Sequence, residues 1–144
     1  MRNKKLNILF VCRYNNTRSQ IAKELFKRFY KTKSVYVDSA GVIGAKPSKD
    51  LKKALNFIFN KHNLRYNKPK ILTKELLFKQ NIIILVAEDV PSSLFFPQKK
   101  QGIKVIKLNV KDGHRYREKN REERLERVYL DLELKIKNLV KRIK

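Results

Sequence analysis

ILFVCRYNNTRS, residues 8–19, is the stretch whose reading decides the fold. The apolar run Ile8-Leu9-Phe10-Val11 ends in Cys12, the only cysteine in the sequence, and Arg18-Ser19 follow before a helical pattern begins. A short buried strand here delivers a thiol to its carboxyl end. The polar loop behind it turns successive backbone N–H groups around a small concavity, and the amino end of a helix closes it. Free N–H groups and the helix dipole favour an anion at such a place. The same field, with the Arg18 guanidinium and a hydroxyl from Ser19, favours the thiolate form of Cys12. A thiolate facing an anion nest with an arginine fork suits in-line attack on a phosphate-like group. Taken by itself, a lone cysteine after an apolar run is more often a small buried hydrophobe. The strand–loop–helix context and the spacing to Arg18 are what point to chemistry.

CRYNNTRS resembles the phosphate loop of the low-molecular-weight protein tyrosine phosphatases, C-x5-R-S with asparagine three residues after the cysteine, here Asn15. Ser39-Ala40-Gly41 is similar to that family's SAG, and Val110-Lys111-Asp112 to its late acid-bearing loop. The resemblance spans nearly the whole chain. It implies a metal-independent phosphatase without cofactor, acting on phosphotyrosine or another phosphorylated residue, or on a small phosphomonoester. In that reading Cys12 attacks phosphorus, Arg18 clamps two phosphate oxygens, and Asp112 protonates the leaving oxygen. Arg13, Tyr14, Asn15, Asn16, Thr17 and Ser19 surround the phosphate, and Ser39 braces the loop with Asn15. Asparagine tolerates the left-handed backbone that Asn15 is expected to adopt. Glu88 and Asp89 are the alternative acids. His114 or Tyr116 would line the mouth of the site, and His62 would end a helix.

The sequence also departs from the family. Tyr14 stands where glycine is usual, and Thr17 where many members carry a second cysteine, so Cys12 has no disulfide partner. The resemblance associates an apolar residue at the position of Asn16 with tyrosine specificity and threonine with phosphoarginine, and a polar Asn16 leaves both open. Arg18-Ser19-Gln20 is similar to thioredoxin-coupled arsenate reductases, but those need further cysteines to resolve their intermediate. A phosphatase of the RNA-polymerase tail shares C-x5-R-S but fits the SAG and late aspartate less well.

Thirty-six basic residues against 13 acidic ones give a net charge of +23. That invites a polyanionic partner, and a basic phosphate- or nucleic-acid-binding module with weakened catalysis is the alternative reading of the chain. The basic residues are scattered, and the abundance of Lys, Ile and Asn also fits a coding bias. One cysteine points to a reducing, cytoplasmic setting. No apolar run approaches a membrane span, and the basic start precedes too short an apolar run for a secretory signal.

The expected fold is α/β: one doubly wound domain over residues 1–144, with a four-stranded parallel sheet flanked by helices. Strands are expected at about 7–11, 35–38, 82–87 and 104–108. Helices are expected at about 20–30, from a Ser48 cap to 61, at 74–78 behind Thr73, and from 122 onward, with a brief helix or turn at 91–96. The helix from 122 onward carries Leu125, Val128, Leu132, Ile136, Leu139 and Ile143 as a core-facing stripe. Cys12, Ser39, Glu88 and Asp112 are all expected just past strand ends, on the edge where such sheets bind ligands.

Overall fold

The computed structural model of the protein describes residues 5–32 and 34–143. The basic start at residues 1–4 lies outside them. Four strands, β1 (Leu6–Cys12), β2 (Val35–Gly41), β3 (Ile82–Val86) and β4 (Lys104–Leu108), form one parallel sheet in the order β2-β1-β3-β4. Five helices flank it: α1 (Arg18–Phe29), α2 (Lys49–Lys61), α3 (Lys74–Phe78), α4 (Phe96–Lys100) and α5 (Arg121–Ile143). The chain direction across the sheet reverses at β1, between its neighbours β2 and β3, and ligand crevices form at such a switch point. Cys12 ends β1.

Burial follows the residue pattern. Ile8 to Val11 and Ile83 to Val86 are wholly buried, as continuous apolar strands covered on both faces should be. Ile21, Leu25 and Phe26 of α1, Leu55, Ile58 and Phe59 of α2, and Leu125, Val128, Leu132, Ile136 and Leu139 of α5 complete the core. Phe29, Leu51 and Ile143, at the ends of these stripes, are partly buried against it. α5 lies along both α1 and α2, so its stripe is core packing. Ser48 Oγ accepts from the Leu51 amide at 3.1 Å and Thr73 Oγ1 from the Leu76 amide at 3.0 Å, which fixes where α2 and α3 begin.

Three expected boundaries move. Helix α1 begins at Arg18, two residues earlier than the apolar periodicity indicates, so Arg18 and Ser19 belong to its first turn. Strand β2 runs on to Gly41, which places Ser39 inside the strand and not past its end. Pairing explains the extension: β1 and β2 stay in register from Leu6 opposite Val35 to Cys12 opposite Gly41. Residues 92–95 form a single 3-10 turn that runs directly into α4.

Gly41 is where the sheet meets the phosphate-like loop. A Cβ there would lie 2.5 Å from the Tyr14 carbonyl carbon and 2.7 Å from the Asn15 nitrogen, both backbone. The close approach therefore belongs to Gly41, and Tyr14 is accommodated without a left-handed backbone. Backbone atoms cannot swing aside as a flexible side chain can. Gly41→Ala is expected to cost about 3 kcal/mol in chemical denaturation. A variant within about 0.5 kcal/mol of wild type would show that the loop can move away at little cost.

Candidate active site

The loop after β1 owes its shape to Asn15. This residue has φ +61°, in the left-handed region, and is almost wholly buried. Its side-chain amide donates to Ser19 Oγ at 2.7 Å and to Ser39 Oγ at 3.0 Å, while its Oδ1 accepts from the Lys70 amide at 3.0 Å. These bonds offset the cost of the conformation, and the turn brings the Asn15 amide to 3.3 Å from Cys12 Sγ. Ser19 Oγ lies 2.9 Å from the same sulfur. That oxygen also accepts from Asn15, and its O–H is available to donate to the sulfur of a Cys12 thiolate, which has no proton to give.

Other loop amides are free. Among the described residues, the N–H groups of Tyr14, Asn16 and Thr17 donate to no protein acceptor. Thr17 precedes α1 without capping it, and the first turn holds no acidic residue. The amino end of α1 therefore remains an open anion site.

Arg18 is 3% exposed. One Nη1–H donates to Asp89 Oδ1 at 2.8 Å and the other to the Val110 carbonyl at 2.9 Å, and Nη2 donates to Asp89 Oδ2 at 3.3 Å. That uses three of five N–H groups. Nε–H and the second Nη2–H remain, side by side on one edge of the guanidinium. Burial opposes the charge on Arg18. The hydrogen bond to Asp89 and the negative charges of Cys12, Asp112 and Asp89 outweigh it and raise its pKa above the ordinary value. For Asp89, burial pushes the carboxyl up, but the bond and charge of Arg18 win and leave it below the ordinary value.

A cleft of about 330 Å³ opens over the loop. Cys12, Tyr14, Asn16, Thr17, Arg18, Asp112 and His114 line it. Asp112 starts the 3-10 turn Gly113–Arg115, its Oδ1 accepting from the Gly113 amide at 2.7 Å and its Oδ2 lying 3.1 Å from His114 Nδ1. Among the described residues it is the one carboxylate in the cleft lining. Glu88 is paired with Arg115 at 3.2 Å and Asp89 with Arg18, and neither lines the cleft.

Some expected residues stand apart. The Arg13 side chain is exposed and lies over the Tyr14 ring, 5.1 Å from its centroid. Asn15 and Ser39 work from beneath the loop. Tyr116 faces Arg127 outside this cleft, whereas His114 lies at its mouth. His62 ends α2, is hydrogen-bonded to Glu126 and stacks on Tyr129, so its role is to join α2 to α5.

Two residues carry site roles that the sequence reading did not assign. Gln20 is fully buried. Its Nε2 donates to the carbonyls of Asn15 at 2.7 Å and Asn67 at 2.8 Å, and its Oε1 accepts from the Asn67 amide at 2.7 Å. A glutamine two residues after Arg18 is its only trace in the sequence. Asp89, an alternative acid by sequence, instead pairs with Arg18, 71 positions away along the chain.

The chain belongs to the low molecular weight phosphotyrosine protein phosphatase family, whose model matches residues 7–144. It is a cysteine-dependent phosphomonoesterase of the protein tyrosine phosphatase type. Solved structures share the fold. A YwlE mutant from Bacillus subtilis superposes with a TM-score of 0.73 at 23% identity, covering 96% of this chain and 99% of that one. The low molecular weight protein tyrosine phosphatase SP-PTP of Streptococcus pyogenes gives 0.77 at 16% identity, covering 96% and 93%. The YwlE arginine phosphatase of Geobacillus stearothermophilus gives 0.71 at 21%, covering 96% and 92%. No curated protein matches the chain by sequence.

Because the folded pKa of Asp89 is depressed, its pairing stabilises the protein fully above the unfolded carboxyl value, about 4, and that contribution is lost as pH falls through the lower folded value. Asp89→Asn is expected to cost about 2 kcal/mol at neutral pH. Denaturation from pH 7 downward should show the gap closing in acid. A gap independent of pH would deny the pair its electrostatic role.

Proposed function

We propose that the protein hydrolyses a phosphorylated protein residue through a phosphocysteine intermediate, without a metal ion. The observation that carries this is the convergence of the Asn15 amide and the Ser19 hydroxyl on Cys12 Sγ, in a loop whose Tyr14, Asn16 and Thr17 amides have no protein acceptor among the described residues. In this reading the cysteine thiolate forms a bond to phosphorus as the bond from phosphorus to the leaving atom breaks. Asp112, protonated, gives its proton to the leaving atom. Arg18 holds two phosphoryl oxygens with its Nε–H and free Nη2–H, and the amides of Tyr14, Asn16 and Thr17 take the remaining charge. Water then attacks the phosphocysteine, returning a proton to Asp112. Ser19 donates to the sulfur as it leaves.

Phosphotyrosine is the substrate the family's name suggests. One observation favours phosphoarginine as a second reading. Asn16 lines the cleft, and its buried Oδ1 has no hydrogen-bond partner. An orphaned acceptor is costly, and a turn of the Asn16 side chain toward the cleft would let a substrate donor satisfy it. The N–H groups beside a phosphorylated guanidinium can do so, and a phenyl ring cannot. A YwlE neighbour is named an arginine phosphatase. The lone cysteine supports a reducing, cytoplasmic setting, and no described helix is long and apolar enough to cross a membrane.

Hydrolysis of para-nitrophenyl phosphate from acidic to neutral pH, without added metal, tests the chemistry. Cys12→Ser should lose turnover, and Asp112→Asn should lose about a hundredfold or more. Wild-type protein without turnover would overturn the proposal. For substrate choice, Asn16→Leu should lower kcat/KM on a phosphoarginine peptide roughly tenfold relative to its phosphotyrosine counterpart. An unchanged ratio would remove Asn16 from selectivity.

A further inference from the structure

A second cleft, of about 370 Å³, adjoins the first and shares Tyr14, Ala45, Lys46 and Pro47 with it. Its remaining lining is Gly44, Lys68, Pro69, Lys70 and Ile71. The surface is mixed in a specific way. Tyr14, Pro47, Pro69 and the half-exposed Ile71 supply apolar area, and three lysines stand around it. Lys70 is paired with Asp38 at 2.5 Å. Among the described residues, Lys46 and Lys68 have no carboxylate within 4.0 Å.

The wall of this cleft is tied to the phosphate loop. The Asn67 amide donates to Gln20, the Lys70 amide to Asn15 Oδ1, and the Gly41 amide to the Lys70 carbonyl at 2.8 Å. Leu72 returns a bond to Gly41 at 2.9 Å. Gly44 has no side chain to collide with Ile71, whose Cδ1 would lie 2.4 Å from a Cβ there. Residues 67–72 are therefore tied by hydrogen bonds to the loop and strand β2.

Resting on the phosphatase reading, we propose that this groove is a subsite for the polypeptide beside the phosphorylated residue. It selects an apolar side chain accompanied by acidic ones. The phosphoryl group would sit over Cys12, and the adjoining chain would pass Tyr14 with its apolar residue against Ile71 and Pro69. Its carboxylates would face Lys46 and Lys68. Charge complementarity and continuity with the reaction cleft support a peptide of this kind as the occupant.

Four phosphopeptides with one phosphorylated residue test it, their flanks carrying Leu with Glu, Leu with Lys, Ser with Glu, or Ser with Lys, placed on either side. The Leu and Glu peptide should exceed the Ser and Lys peptide roughly tenfold in kcat/KM, chiefly through KM. Lys68→Glu should reverse the acidic preference, Lys68→Arg should keep it, and Ile71→Ser should remove the preference for Leu. Equal rates on all four peptides would overturn the groove while leaving the phosphatase in place, provided para-nitrophenyl phosphate is turned over. An acidic preference equally strong in Lys68→Glu would assign it to the overall +23 charge and overturn the groove too. A wild-type protein inactive on every substrate would remove the phosphatase reading and the groove together.

Discussion

The site depends on holding one asparagine in a conformation it would not choose. Asn15 at φ +61° turns the loop so that its own amide faces Cys12, and three side-chain bonds keep it there. Those bonds reach the first helix, the second strand and the segment before α3. The loop is thus fastened to three separate parts of the fold, each set by the hydrophobic core. Gly41 supplies the complementary condition, since only a residue without a side chain lets the second strand pass so close beneath the loop. Local strain is tolerated because the surroundings over-determine it.

Arg18 illustrates how competing terms settle. Its burial works against a charged guanidinium, and a lone buried cation would be expensive. Asp89 and the Val110 carbonyl take one end of the fork, which leaves the other edge both oriented and available. The ion pair sets the direction of a charge that the cleft then uses. A second consequence is that Asp89 is occupied and Asp112 is left as the carboxylate in the cleft.

Much of the fold was legible in the sequence because the signals were local. Ser48 and Thr73 announce helix starts by their own hydroxyls, and the short unbroken apolar run from Ile82 is what a strand covered on both faces calls for. Strand β4 and helix α3 fall where the pattern placed them. The end of β2 was less legible, because pairing with β1 extends it through Ser39, a residue with no strand signal of its own. In the loop, the strand–loop–helix context together with the spacing to Arg18 singles out Cys12, Arg18 and Ser19. Gln20 and the pairing of Asp89 with Arg18 stayed hidden because they depend on contacts between distant segments. Tyr14 shows the opposite case: a residue out of place by family pattern becomes a wall shared by two clefts, since the close backbone contact falls at Gly41.

The central claim is that Cys12 takes the phosphoryl group. Rapid acid quench of the enzyme during turnover, followed by peptide mapping in a mass spectrometer, tests it directly. The account predicts one phosphoryl adduct, on the peptide containing Cys12 and located on its sulfur, and no adduct in Cys12→Ala. An adduct on another residue, or turnover that continues in Cys12→Ala, would contradict it.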